Sequence, residues 1–111
     1  MKLSHEQFDQ ITVVRLAGEL TADDTEPLRR VVNDRLADQT RDFVIDLAET
    51  DFVDSRGIET LLWAQEQAGE RLGQVRLLNL DDNLRTILRV TRLTNTFETH
   101  DSLDSALASL R

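Results

Sequence analysis

Two hydrophobic periods take turns along this chain, and their order maps most of its elements. Ile11-Thr12-Val13-Val14-Arg15-Leu16-Ala17 is dense in β-branched residues and reads as a strand that Gly18 ends. A shorter strand over residues 6–10 is expected to pair with it. Leu28, Val31, Val32 and Leu36 then recur at helical spacing to about Ala37. Thr21, Asp23 and Asp24 are candidate caps for that helix, and Pro27 is tolerated in a first turn. Phe43-Val44-Ile45-Asp46-Leu47 is the strongest strand signal, and it runs into a short acidic turn ahead of Ser55. From Ser55 onward, Ile58, Leu61, Leu62, Ala68 and Leu72 form one helical stripe, with Gly69 and Gly73 marking its end.

Val75–Leu80 reads as another strand. Asp81, Asp82 and Asn83 can cap a third helix with Leu84, Ile87 and Leu88 facing inward. A short strand is expected over Thr96–Thr99. Leu103, Ala106, Leu107 and Leu110 then give an i, i+3, i+4, i+7 stripe in a C-terminal helix. Strands alternating with short helices predict an α/β fold with a mainly parallel or mixed sheet. The length of 111 residues fits one domain over 1–111.

Composition narrows the function. A net charge of −8 argues against nucleic-acid binding, because a phosphate backbone demands a basic face. It suits a soluble protein meeting a less acidic partner, or a merely solubilising surface. No run approaches 18 apolar residues, so no membrane insertion is expected. The N-terminus lacks an apolar signal core, so a cytoplasmic protein is expected. With no cysteine, disulfides, thiolate nucleophiles and thiolate metal sites are excluded. Lys2 is the only lysine among thirteen basic residues, which removes a Walker lysine, a Schiff-base lysine and a late lysine for an aspartyl phosphate.

The candidate chemistry gathers at Asp54-Ser55-Arg56-Gly57. Loops between strand ends and helix starts are carried on rigid elements, and functional groups collect there. Ser55 falls at or near a helix N-cap, where its oxygen can accept an amide hydrogen bond. Gly57 is expected to leave the first turn open to an approaching molecule. The residues alone also fit a plain capping serine, worth about 1 kcal/mol.

This segment, with Phe52-Val53 before it and Leu61-Leu62 after it, resembles the signature of STAS domains, and most closely the bacterial anti-sigma-factor antagonists. Leu16-Ala17-Gly18-Glu19-Leu20 is similar to that family's second strand and glycine turn. The resemblance implies a sheet of four or five strands backed by about four helices, no enzymatic activity, no cofactor and no metal. It implies a partner-switching role: the unmodified form binds an anti-sigma factor with serine kinase activity and frees the sigma factor. Phosphorylation, here of Ser55, then separates the pair, and a phosphatase resets it. The implied partner surface takes in Asp54, Arg56, Gly57, Glu59, Trp63 and Asp23. Two positions depart from the family pattern. Thr21 stands where an aspartate is usual, with Asp23 and Asp24 just beyond. Arg56 replaces a small residue and can pair with a phosphate or with an acidic partner.

Trp63 lies roughly opposite the Ile58–Leu62 stripe at about 100° per residue. It is either an exposed binding anchor or covered by another element. His5 and His100 lack ligand-like spacing and fit surface or capping roles. Asp46, Asp51 and Asp54 do not make a receiver domain without the late lysine; Asp51 and Asp54 fit turn and capping roles near Ser55. No Gly-x-Ser-x-Gly supports a hydrolase. The rival reading keeps the fold but not the switch: a STAS scaffold of a stress-sensing assembly, or a subunit of a lipid-transport ABC system.

Overall fold

The computed structural model describes all residues, 1–111. The elements are β1 (Lys2–Phe8), β2 (Ile11–Leu20), a 3-10 turn (Ala22–Asp24), α1 (Thr25–Ala37), β3 (Asp42–Val53), α2 (Ser55–Gly69), β4 (Val75–Leu78), α3 (Asp82–Val90), β5 (Glu98–His100) and α4 (Leu103–Ser109). The five strands form one mixed sheet in sequence order. β1 and β2 are an antiparallel hairpin, and β2, β3, β4 and β5 run parallel.

Because the parallel strands advance in one direction, right-handed crossovers place α1, α2 and α3 on the same face. There Leu28 and Val32, Ile58 and Leu61, and Leu84 and Leu88 bury against Val14, Leu16, Phe43, Ile45 and Leu77. α4 covers part of the opposite face, setting Ala106, Leu107 and Leu110 on Ile11, Val13, Val44 and Leu78. This two-sided burial explains why β2, β3 and β4 carry near-continuous apolar runs rather than alternation.

Several expectations are corrected. Gly18 does not end β2; it bends it, with φ +107 and a register shift on its C-terminal side, and the strand continues to Leu20. β1 starts earlier than expected, and a two-residue turn with Asp9 at φ 55 closes the hairpin. Asp51, Phe52 and Val53 are strand rather than acidic turn, because Glu19 and Leu20 pair with Phe52 and Val53. β4 stops at Leu78, and β5 lies two residues later than Thr96 suggests. Leu72 belongs to no buried stripe and is 89% exposed.

Three of the four helices, α1, α2 and α3, end in one device. Thr40 N–H donates to the Arg35 carbonyl, Gly73 N–H to Ala68 and Leu93 N–H to Leu88, each bond reaching back five residues. The residue before each donor takes left-handed backbone: Gln39 at φ 70, Leu72 at φ 63 and Arg92 at φ 62. These are Schellman closures in which a residue with a Cβ occupies the place glycine favours. Gly73 is needed one position later, since a Cβ there would lie 2.7 Å from the Arg41 carbonyl carbon. Leu72→Gly should therefore raise stability by about 0.5–1 kcal/mol, the left-handed strain exceeding glycine's entropic penalty. Gly73→Ala should lower it by about 1–3 kcal/mol. Urea unfolding of both variants measures the contrast; equal and small effects would show that neither backbone requirement holds.

Candidate functional site

The corner where β2 and β3 end and α2 begins is built around Asp54. Its backbone is extended, which makes it the N-cap of α2 and leaves Ser55 as the first helical residue. The Asp54 carboxylate accepts from Gly57 N–H at 2.8 Å and, through its other oxygen, from Ala22 N–H at 3.1 Å. The Asp54 amide donates to the Leu20 carbonyl at 3.2 Å. Of the two positions expected at or near the cap, Asp54 holds it and Ser55 follows as the first helical residue; a carboxylate is the stronger acceptor for a helix pole. Ser55 is exposed, and its hydroxyl makes no hydrogen bond within the chain.

Gly57 is placed differently from its expected role. It is buried rather than open, and a Cβ would clash with the Leu20 carbonyl and come within 2.7 Å of Val53 Cγ1. Its lack of a side chain serves the close approach of α2 to the end of β2. Arg56 and Glu59 are both exposed and pair loosely at 4.0 Å. Asp23 is exposed on the facing turn. Thr21 donates its hydroxyl to Asp24 at 2.9 Å, and Asp24 lies 3.7 Å from the N-terminal amine, so neither serves as a side-chain cap for α1.

Trp63 resolves toward the covered alternative. It is half-buried, packs on the core and lies beneath α1, with the Arg29 guanidinium 4.8 Å from its ring centre. The stripe rule failed here because α1 extends over a face the helical wheel marks as polar. Phe52 is the residue that sequence reasoning missed, since it was read only as part of an apolar lead-in. It is 48% exposed and three residues from Ser55. His100 bonds Ser105 at 2.6 Å and Glu98 at 2.8 Å, tying β5 to α4, and this bond with the nearby Arg76 holds the Glu98 carboxyl below its usual range.

The sequence matches the family model described as Mlab, STAS domain, over residues 4–107. The chain is 22% identical over its whole length, and over 96% of the relative's, to a Bordetella bronchiseptica protein named as an anti-sigma factor antagonist, BtrV. An anti-sigma factor antagonist structure from Mycobacterium paratuberculosis superposes with TM-score 0.84 at 29% identity, covering 99% of this chain and 93% of that one. The phosphorylated form of the Bacillus cell fate determinant SpoIIAA gives TM-score 0.78 at 20% identity, covering 99% and 100%. A sulfate transporter family protein from Wolinella succinogenes shares the fold too, with TM-score 0.79 at 19% identity over 92% and 85%. The fold is that of a STAS module, a regulatory class. This chain belongs to the STAS domain family. No helix is long and apolar enough to cross a membrane.

The division of labour at the corner is measurable. Asp54→Ala should cost about 1–2 kcal/mol by removing the cap and the tie to Ala22. Ser55→Ala should stay within about 0.5 kcal/mol of the parent. Thermal and urea denaturation decide between them; a Ser55→Ala loss equal to that of Asp54→Ala would return Ser55 to a capping role.

Proposed function

We propose that this chain is an anti-sigma-factor antagonist that switches partners through Ser55. The observation that supports the reading is an exposed serine hydroxyl with no internal hydrogen bond, standing on a helix start that its neighbour Asp54 already caps. Modification of such a group removes nothing from the fold. In this reading the unmodified corner binds an anti-sigma factor with serine kinase activity, which releases its sigma factor. Asp23, Asp54, Arg56 and Glu59 contribute the polar contacts, Trp63 stiffens α2, and Gly57 sets its approach to the sheet. The kinase transfers a phosphoryl group to Ser55, and a phosphatase removes it. The protein is substrate and binder rather than enzyme, acting in the cytoplasm.

A phosphate adds about −1.5 to −2 charge at neutral pH. A docked partner would have to desolvate that dianion, a cost of several kcal/mol. Even ~3 kcal/mol weakens binding about a hundredfold. Exclusion is sufficient, with no rearrangement inside the domain.

A second reading, a STAS module that docks without turning over phosphate, is favoured by Thr21 at the position where antagonists usually carry aspartate. Intact mass and phosphosite mapping of the protein from its native host, with and without phosphatase treatment, separates the two. A phosphatase-sensitive phosphate on Ser55, absent from Ser55→Ala, is expected, together with tighter retention of the partner by Ser55→Ala and partial weakening by Ser55→Asp. Unmodified Ser55 through growth and stress would establish the non-switching module instead.

A further inference from the structure

The acidity of this chain is not evenly spread. Residues 84–97 contain Arg85, Arg89 and Arg92 and no acidic residue, a local charge of +3. The remaining residues carry ten basic and twenty-one acidic side chains, a balance of −11. Arg85, Arg89 and Arg92 are all exposed. Arg85 pairs with Asp101 at 3.0 Å, whereas Arg89 and Arg92 enter no ion pair.

Arg85 and Arg89 line a shallow cleft of about 460 Å³ between α3 and the segment leading into β5, and Arg92 follows α3 outside that lining. Arg85, Arg89, Thr86, Thr94 and Thr99 line it above an apolar floor of Leu80 and Leu88, and Asp82 is the one carboxylate at its edge. The hydroxyls of Thr86, Thr94 and Thr99 make no hydrogen bond within the chain, unlike that of Thr91, which donates to the Ile87 and Leu88 carbonyls. Guanidinium forks and free hydroxyl donors together are a carboxylate-recognising set. The helix dipole accounts for an arginine in the last turn of α3. It accounts for neither Arg85 near the start nor three unused hydroxyls facing one cleft.

We propose that this groove docks an acidic segment of a second protein, on a surface separate from the Ser55 corner. Length argues for a peptide over a single anion. Arg85 to Arg89 spans roughly 6 Å at the helical rise, and Thr94 and Thr99 carry the lining on along the segment into β5, a length that two or more extended residues match at about 3.3 Å each. Concavity and charge argue against a membrane: lipid headgroups do not enter a cleft, and Val90 is the only strongly exposed large apolar side chain on α3. Nucleic acid would meet three arginines set in a strongly acidic protein.

The groove shares no lining residue with the serine corner: Asp54, Ser55, Arg56 and Glu59 are all outside it.

The test is an amide-shift NMR titration of the full chain with a hexaglutamate peptide at low salt. Inorganic phosphate and phosphatidylglycerol vesicles are run in parallel. Shifts centred on Thr86, Arg89, Thr94 and Thr99 are expected. Affinity should fall at least tenfold in Arg85→Gln/Arg89→Gln, fall similarly in high salt, and hold in Arg30→Gln, which removes an exposed charge from α1. Shifts scattered over other arginines, or equal losses in Arg30→Gln, overturn the proposal. So does the same shift pattern with phosphate at equal concentration, or vesicle binding lost with Arg89 while the peptide is ignored. Unchanged far-UV dichroism and Tm in the double variant exclude unfolding as the cause.

Discussion

The carboxylate of Asp54 joins two turns thirty-two residues apart in sequence, and the rest of the corner follows from that bridge. One oxygen caps α2 through Gly57 N–H, and the other holds the turn after β2 through Ala22 N–H. The bridge closes only because Gly57 carries no side chain against Leu20 and Val53. Charge-assisted bonds of this kind are stronger than neutral ones. Leu20, Val53, Ile58 and Leu61 are buried beneath it, so the polar tie sits on a packed base. Asp54 thereby relieves Ser55 of structural work: cap and exposed hydroxyl are adjacent residues with separate tasks.

That separation decides how a phosphate at Ser55 would act. A helix pole attracts an anion by roughly 0.3–1 kcal/mol, but here a carboxylate already occupies the Gly57 amide. A phosphate would find the amides of Ser55 and Arg56, which no intrahelical carbonyl reaches, and it would also meet the like charge of Asp54. Arg56 is held only loosely by Glu59 at 4.0 Å and can turn to the new anion. These effects oppose one another and are individually small. Meanwhile α2 is anchored by Ile58, Leu61, Ala64 and Ala68. The cost of the charge then falls on whatever docks there.

Most elements were legible in the sequence because burial on one or both faces writes itself into period. Phe43–Leu47 and the stripes of α1, α3 and α4 are examples. The misreadings share a physical cause, namely tertiary pairing overriding local composition. Asp51 to Val53 looks like an acidic turn, yet β2 reaches far enough past Gly18 to pair with it. Leu72 has the right spacing for the α2 stripe, but Gly73 must lie against Arg41, so the chain turns left-handed one residue earlier and expels the leucine. Gly57 was read as an open approach when its role is internal contact; a glycine states that room is needed without saying on which side. The serine corner was visible as a motif. Which of Asp54 and Ser55 caps the helix was not, since both are good caps and only the position of Ala22 separates them.

Charge shows the same limit of averages. A net −8 suggests one acidic surface, whereas residues 84–97 carry +3 within an otherwise acidic chain. In physiological salt a charge is felt over a Debye length of about 8 Å, while α3 alone is roughly 13 Å long. Charge on one surface is therefore felt little on another that lies beyond this distance. Two surfaces on one rigid domain, each reading local charge, can hold one protein while another is admitted or refused. For a domain this small, such independence follows from screening and stiffness without any conformational coupling.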